Sequence, residues 1–122
     1  MLIKLRAKLY SYVTLKEESE TIIYKGETKL DNKLKIGVIG LGHRGEGLLS
    51  TIMQIDGVII SAVSDHYEDR CAKAAETVQS ASGNKPYSTC DYREILSMED
   101  IDAVVISTSW SSHINVAIEA MK

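Results

Sequence analysis

The chain has 122 residues, 44% of them hydrophobic and 25% charged, with a formal net charge of -3. That length suits one domain with a buried core, and the balance excludes disordered, collagen-like and membrane-spanning classes. With no basic excess to meet phosphate backbones, neither nucleic acid nor a membrane is expected as a partner.

Residues 1–33 are charged and lack a core pattern, so a boundary is placed near Asn32, with an N-terminal extension before it. Stretches 9–15 and 21–24 are rich in β-formers and read either as a short hairpin about the charged turn 16–20 or as a flexible extension. The first residues alternate bases with apolar side chains (Leu2, Lys4, Arg6, Lys8) and contain no leader-like apolar stretch, so a cytoplasmic protein is expected.

From Leu34 the run Leu34-Lys35-Ile36-Gly37-Val38-Ile39-Gly40 reads as a strand buried on both faces. A helix is predicted over 44–55 from Leu48, Leu49, Ile52 and Ile55, stopped by Asp56-Gly57. A second strand is predicted over 58–63. It is followed by a helix over 67–82 that Ser82-Gly83-Asn84 breaks. Residues 86–89 make a short edge strand, Asp91 caps a helix to about residue 97, 101–107 is a third strong strand, and 111–121 a last helix. Alternating strands and helices predict an α/β fold for 34–122: a doubly wound parallel, Rossmann-like sheet in three layers.

Gly40-Leu41-Gly42-His43-Arg44-Gly45 is a GxGxxG between a buried strand and a helix. In that place Gly40 permits a tight turn, Gly42 lets the backbone approach a pyrophosphate, and Gly45 lets helix and strand pack closely. The helix N-terminus attracts the negative charge. Asp65 closes the second strand a little over 20 residues on, where a carboxylate accepts hydrogen bonds from adenosine ribose hydroxyls and repels a 2′-phosphate; this points to NAD rather than NADP. The nearest arginine, Arg70, stands a turn into the next helix. Capping that helix is a second, compatible role for Asp65.

Within the loop, Arg44 suits a phosphate oxygen and His43 the cleft wall, while both also suit a solvated first helical turn. After the last strand, Ser107-Thr108-Ser109-Trp110-Ser111-Ser112-His113 lies at the carboxyl edge of the sheet, where open α/β folds place ligands. Trp110 offers a flat face to the nicotinamide half, and Thr108 and His113 offer hydrogen bonds. Ordinary packing for Trp110 and a helix-turn place for His113 are the alternatives. Two cysteines, Cys71 and Cys90, are too few for a disulfide framework and lack metal-site spacing, so they read as buried or idle thiols and no metal is expected.

Lys35-Ile36-Gly37-Val38-Ile39-Gly40-Leu41-Gly42, Val63-Ser64-Asp65 with Arg70, Asp91-Tyr92-Arg93-Glu94-Ile95-Leu96, Asp102-Ala103-Val104-Val105-Ile106-Ser107-Thr108, and Trp110 with His113 stand in a fixed order. Together they resemble the N-terminal cofactor domain of the Gfo/Idh/MocA oxidoreductases. The resemblance implies that Gly40, Gly42 and Gly45 hold the pyrophosphate of NAD, Asp65 the adenosine ribose, and Thr108, Trp110 and His113 the nicotinamide side. It also implies hydride transfer with a carbohydrate-like small molecule and leaves room for a homo-oligomer of the intact enzyme. Arg44-Gly45 and the TxWxxH segment are similar to one branch, the NAD-dependent α-N-acetylgalactosaminidases, which oxidise the sugar transiently to break a glycosidic bond.

Family members continue past this last helix into a segment with a catalytic lysine and then a substrate-binding α/β domain. The chain ends at Lys122, so it is expected to be the cofactor part of a longer enzyme, inactive alone and with its catalytic residues unknown, or else a non-catalytic nucleotide-binding module. A methyltransferase, whose glycine loop also grips an adenosine, does not account for Trp110 and His113.

Overall fold

A computed structural model of the chain describes residues 33–122 together with a strand near the N-terminus. In chain order the elements are β1 (Leu2–Leu5), β2 (Leu34–Ile39), α1 (His43–Ile52), β3 (Val58–Ser64), α2 (Glu68–Ser82), β4 (Tyr87–Thr89), α3 (Tyr92–Ser97), β5 (Ala103–Ile106) and α4 (Trp110–Met121). The hairpin considered over 9–15 and 21–24 lies outside the described residues.

The sheet runs in the order β1-β5-β2-β3-β4. Strands β2 to β5 are parallel, as the alternation of apolar strands and amphipathic helices predicts. Two layers of helix cover them. On one face Leu49 and Ile52 of α1 and Cys71, Ala74, Ala75 and Val78 of α2 pack over Ile36, Val38, Ile60, Val63 and Val105. On the other, Ile95 of α3 and Val116, Ala117 and Ala120 of α4 pack over Ile39, Ala62, Val104 and Ile106. Successive side chains of β2 and β5 feed opposite cores because strand side chains alternate in direction, and each fully buried aliphatic contributes roughly 1.5–3 kcal/mol.

One strand was not expected from the sequence. Residues of the N-terminal extension form β1, which adds antiparallel to β5 with Leu2 opposite Ile106 and Leu5 opposite Ala103. Its pairing satisfies a row of β5 backbone groups that would otherwise form an open edge. Residues 2–5 are therefore tied to the domain by backbone hydrogen bonds, although no apolar run announced them.

Some boundaries also differ from the sequence reading. Helix α1 stops at Ile52, not 55: the amides of Gln54 and Ile55 bond the carbonyls of Thr51 and Ile52, three residues back, at 3.1 and 3.0 Å. Ile55 faces solvent there (51% exposed) and has no core to hold it in a helix. Gly57 consequently serves the turn into β3, at φ 79°, and is not the helix cap. The break expected at Ser82-Gly83-Asn84 does form, with Gly83 capping α2 in the left-handed conformation. Strand β5 is shorter than 101–107, since the Asp102 carboxylate takes the Lys35 amide at 2.9 Å in place of a backbone partner. Asp91 caps α3 as predicted, accepting from the Arg93 amide at 3.0 Å.

Candidate functional site

The strand order reverses beside β2: β3 and β4 lie to one side of it and β5 to the other, so the carboxyl ends of β2 and β5 diverge into separate loops. Open parallel sheets form their ligand crevice at such a switch point. A cleft of about 840 Å³ opens there, walled by the glycine loop, by Ser64 to Tyr67 after β3, by Cys90 to Arg93 after β4 and by Ser107 to Ser109 after β5.

The three glycines do different work. Gly40 leaves β2 at φ 96°, and a Cβ on it would lie 2.4 Å from the Ser107 carbonyl oxygen; it makes both the turn and the close contact with the β5 loop. A Cβ on Gly45 would lie 2.0 Å from the Gly40 carbonyl oxygen, so α1 packs directly on the end of β2. Gly42 is the contrast: a Cβ there would meet only the Arg70 guanidinium, at 3.7 Å. It faces the cleft. As the N-cap of α1 it supplies no side-chain hydrogen bond, leaving first-turn amides open toward an anion.

Asp65 fixes this loop. Its carboxylate accepts from the Leu41 amide at 2.7 Å and the Tyr67 amide at 3.0 Å, and lies 3.7 Å from the Arg70 guanidinium. Its side chain is 8% exposed, so the oxygens are rigidly set at the cleft wall. The capping alternative takes a different form here: α2 begins at Glu68 with Tyr67 as N-cap, and Asp65 bonds the cap residue's own amide. Arg70 also lies 4.6 Å over the Tyr67 ring. It thereby brings positive charge from α2 back to the side of the loop that Gly42 leaves open, closer than its sequence position suggests.

His43 and Arg44 are exposed on the cleft rim. Nearby, Lys73 bonds Glu46 at 2.7 Å and holds that carboxyl below the usual carboxylate range, so the one acid in the first turn of α1 is already neutralised by a partner. Thr108 lines the far wall, and its buried Oγ1 has no hydrogen-bond partner among the described residues. A buried hydroxyl without a partner costs about 1–3 kcal/mol. Its persistence marks a position where a ligand atom fits.

Trp110 and His113 lie elsewhere. Trp110 opens α4 at 97% exposure, away from the cleft wall. His113 is one turn further on, partly buried, with its amide bonded to the Ser109 carbonyl at 2.9 Å and its side chain not on the wall. The structure thus brings seven of the ten residues the sequence singled out onto the cleft wall, sets Gly45 behind the loop against the Gly40 carbonyl, and leaves these two outside the cleft. In their stead it adds His66, Tyr67, Tyr92, Arg93 and Ser112. Position alone identifies most of these, because each of the first four follows the carboxyl end of a parallel strand or opens the helix after it. Among the described residues no group of three or more His, Cys, Asp or Glu side chains is placed to hold a metal ion.

Residues 34–122 match an oxidoreductase family with an NAD-binding Rossmann fold, Gfo/Idh/MocA. Glycosyl hydrolase family 109 protein 2 of Shewanella sp. (strain ANA-3) is 36% identical over 97 residues, which make up 76% of this chain and 21% of that protein. The crystal structure of a probable dehydrogenase from Thermotoga maritima superposes with a TM-score of 0.62 at 32% identity, over 71% of this chain and 25% of the other. A myo-inositol dehydrogenase from Lactobacillus casei, in complex with NAD(H) and myo-inositol, shares the fold with a TM-score of 0.65 at 24% identity, over 72% of this chain and 25% of its own. The chain accordingly spans about a fifth of the curated relative and a quarter of each solved structure.

Proposed function

The chain belongs to the Gfo/Idh/MocA oxidoreductase family as an NAD-binding Rossmann domain, and from that premise we propose that residues 34–122 seat NAD(H) in the switch-point cleft for hydride transfer with a sugar or cyclitol hydroxyl in the intact protein. One observation carries the reading: Gly42 alone of the three loop glycines opens onto free space, beside unbonded first-turn amides and opposite the partnerless Thr108 hydroxyl. In this reading Gly40, Gly42 and Gly45 with the α1 amides hold the pyrophosphate, aided by Arg44. Asp65 accepts from the adenosine ribose and Arg70 flanks it. Thr108 donates to the nicotinamide half. When bound, the cofactor supplies a two-electron hydride carrier; the residues described here bind and orient it.

Trp110 and His113 retain a place in this scheme only as residues of the cleft's outer margin, toward which a substrate-binding portion of the intact protein would face. Residues 1–33 are an extension of the domain, consistent with a family match that begins at Leu34. A cytoplasmic location accords with the free cysteines and with the absence, among the described residues, of any helix long and apolar enough to cross a membrane. The net charge of -3 favours a small-molecule partner over nucleic acid.

Calorimetric titration of the chain with NADH tests the assignment directly, with saturable one-to-one binding expected; heats indistinguishable from dilution would remove it. Calorimetry suits the site better than tryptophan fluorescence because Trp110 lies outside the cleft. Thr108→Val sharpens the test. It relieves a buried unsatisfied hydroxyl and should raise stability by about 1 kcal/mol, while NADH affinity falls roughly tenfold for the lost hydrogen bond. A variant that binds NADH as well as the wild type would free Thr108 of this role.

The 36% identity to a glycosyl hydrolase family 109 protein favours a second reading for the intact protein: transient oxidation of a sugar that allows its glycosidic bond to break. The two readings differ in stoichiometry. Net NADH formation equal to product supports the dehydrogenase, whereas release of p-nitrophenol from its α-N-acetylgalactosaminide with no net NADH supports the glycosidase.

A further inference from the structure

Cys71 and Cys90 are far apart in sequence, and no spacing rule joins them. In the fold, Cys71 sits in the first turn of α2, buried, with Sγ 3.4 Å from the carbonyl oxygens of both Asp65 and Thr89, and it accepts from the Asp65 amide at 3.1 Å. The Thr89 carbonyl is bonded to the nitrogen of Cys90, so the Cys71 sulfur lies against the backbone of the second cysteine. Cys90 is exposed and forms part of the cleft wall beside Asp65 and Tyr67.

We propose that Cys71 and Cys90 are a modification site, a dithiol that closes to a reversible intrachain disulfide when the protein meets a peroxide or a low-molecular-weight disulfide. Exposure divides the roles. Cys90 is the thiol that solvent-borne oxidants reach; burial pushes the Cys71 thiol up, keeping it protonated and unreactive until a partner is presented at contact distance. With a peroxide, the Cys90 thiolate attacks the outer oxygen, the alcohol departs, and a sulfenic acid remains. The Cys71 sulfur then displaces hydroxide from that sulfur, and the hydroxide leaves as water with the Cys71 proton. With a disulfide such as oxidised glutathione, the Cys90 thiolate forms the mixed disulfide and releases one thiol, and Cys71 releases the second. Either way two thiols lose two protons and two electrons to the named oxidant.

The bond joins the start of α2 to the loop after β4 and removes the S–H that now faces the carbonyls of Asp65 and Thr89. It also draws Cys90 off the cleft wall. That the adenosine end of a cofactor feels this change rests on the assignment above; formation of the bond does not.

Treating the 122-residue chain with oxidised glutathione, followed by intact-mass measurement and thiol titration after denaturation, tests the proposal without any cofactor. Both thiols should disappear with no glutathione retained, the mass falling by two hydrogens and recovering with dithiothreitol. Cys71→Ser should stop at one glutathione on Cys90, and Cys90→Ser should leave Cys71 unmodified in the folded chain. A wild-type chain that keeps its glutathione adduct, or that forms intermolecular dimers in place of the internal bond, would overturn it.

Discussion

Gly45→Ala should melt roughly 12–24 °C below the wild type, whereas Gly42→Ala should retain stability to within about 0.5 kcal/mol and lose NADH affinity by at least about tenfold. The contrast follows from what each new methyl meets. At Gly45 it would stand 2.0 Å from the Gly40 carbonyl oxygen and 2.8 Å from the carbonyl carbon, which are backbone atoms and not the end of a flexible side chain. Gly40 cannot retreat. Its own amide bonds the Ser64 carbonyl at 2.8 Å, and its Cα hydrogens already fill the space beside the Ser107 carbonyl. Relief requires α1 to lift off the sheet, exposing part of the Leu49 and Ile52 packing, and ~3 kcal/mol is the upper part of the usual overpacking range.

At Gly42 the same methyl meets nothing closer than Arg70 at 3.7 Å, so the folded chain tolerates it. It projects instead into the space where a diphosphate must come within hydrogen-bonding distance of the loop amides. Thermal melts followed by circular dichroism separate the first effect, and calorimetric NADH titrations the second. A Gly42→Ala chain with wild-type affinity would show that the loop's open face is not where the phosphates lie.

How far the sequence foretold this site depends on the kind of information each residue carries. The places of the glycine loop and Asp65 were legible because they are set by local geometry: a strand end, a turn of fixed length, a helix start. Strand β1 was not, since Leu2 to Leu5 pair across about a hundred residues to an edge that no local pattern describes. The cysteine pair was opaque for the same reason, its proximity depending on β3 and β4 being neighbours in the sheet. Trp110 stands off the cleft wall for a different reason. It was placed near a ligand because it follows a strand, but one residue decides which way a side chain points at a helix start, and the helix period sends Val116, Ala117 and Ala120 inward. Trp110, Ile114, Ile118 and Met121 take the outward face.

Asp65→Asn should shift the ratio of NADPH to NADH affinity toward NADPH by about a hundredfold. A carboxylate facing a 2′-phosphate costs several kcal/mol, and ~2.8 kcal/mol corresponds to two decades. Asparagine keeps the shape and one acceptor oxygen. It can therefore still hold either the Leu41 or the Tyr67 amide, which the carboxylate now bonds at 2.7 and 3.0 Å, and the loop should stay in place at a cost of about 1–3 kcal/mol for the amide left without a partner. Removing the charge does more than end a repulsion. Arg70, 3.7 Å from the carboxylate and 45% exposed, loses its ion-pair partner while still lying over the Tyr67 ring, so its guanidinium becomes available to an incoming phosphate. The double variant Asp65→Asn, Arg70→Gln isolates that contribution: it should lose most of the NADPH gain while its NADH affinity stays close to that of the single variant. Titrations of both cofactors against the three proteins at one ionic strength measure the two shifts. An unchanged cofactor ratio in Asp65→Asn would mean that the ribose does not lie against this carboxylate, and that Asp65 serves only to pin the glycine loop to the end of β3.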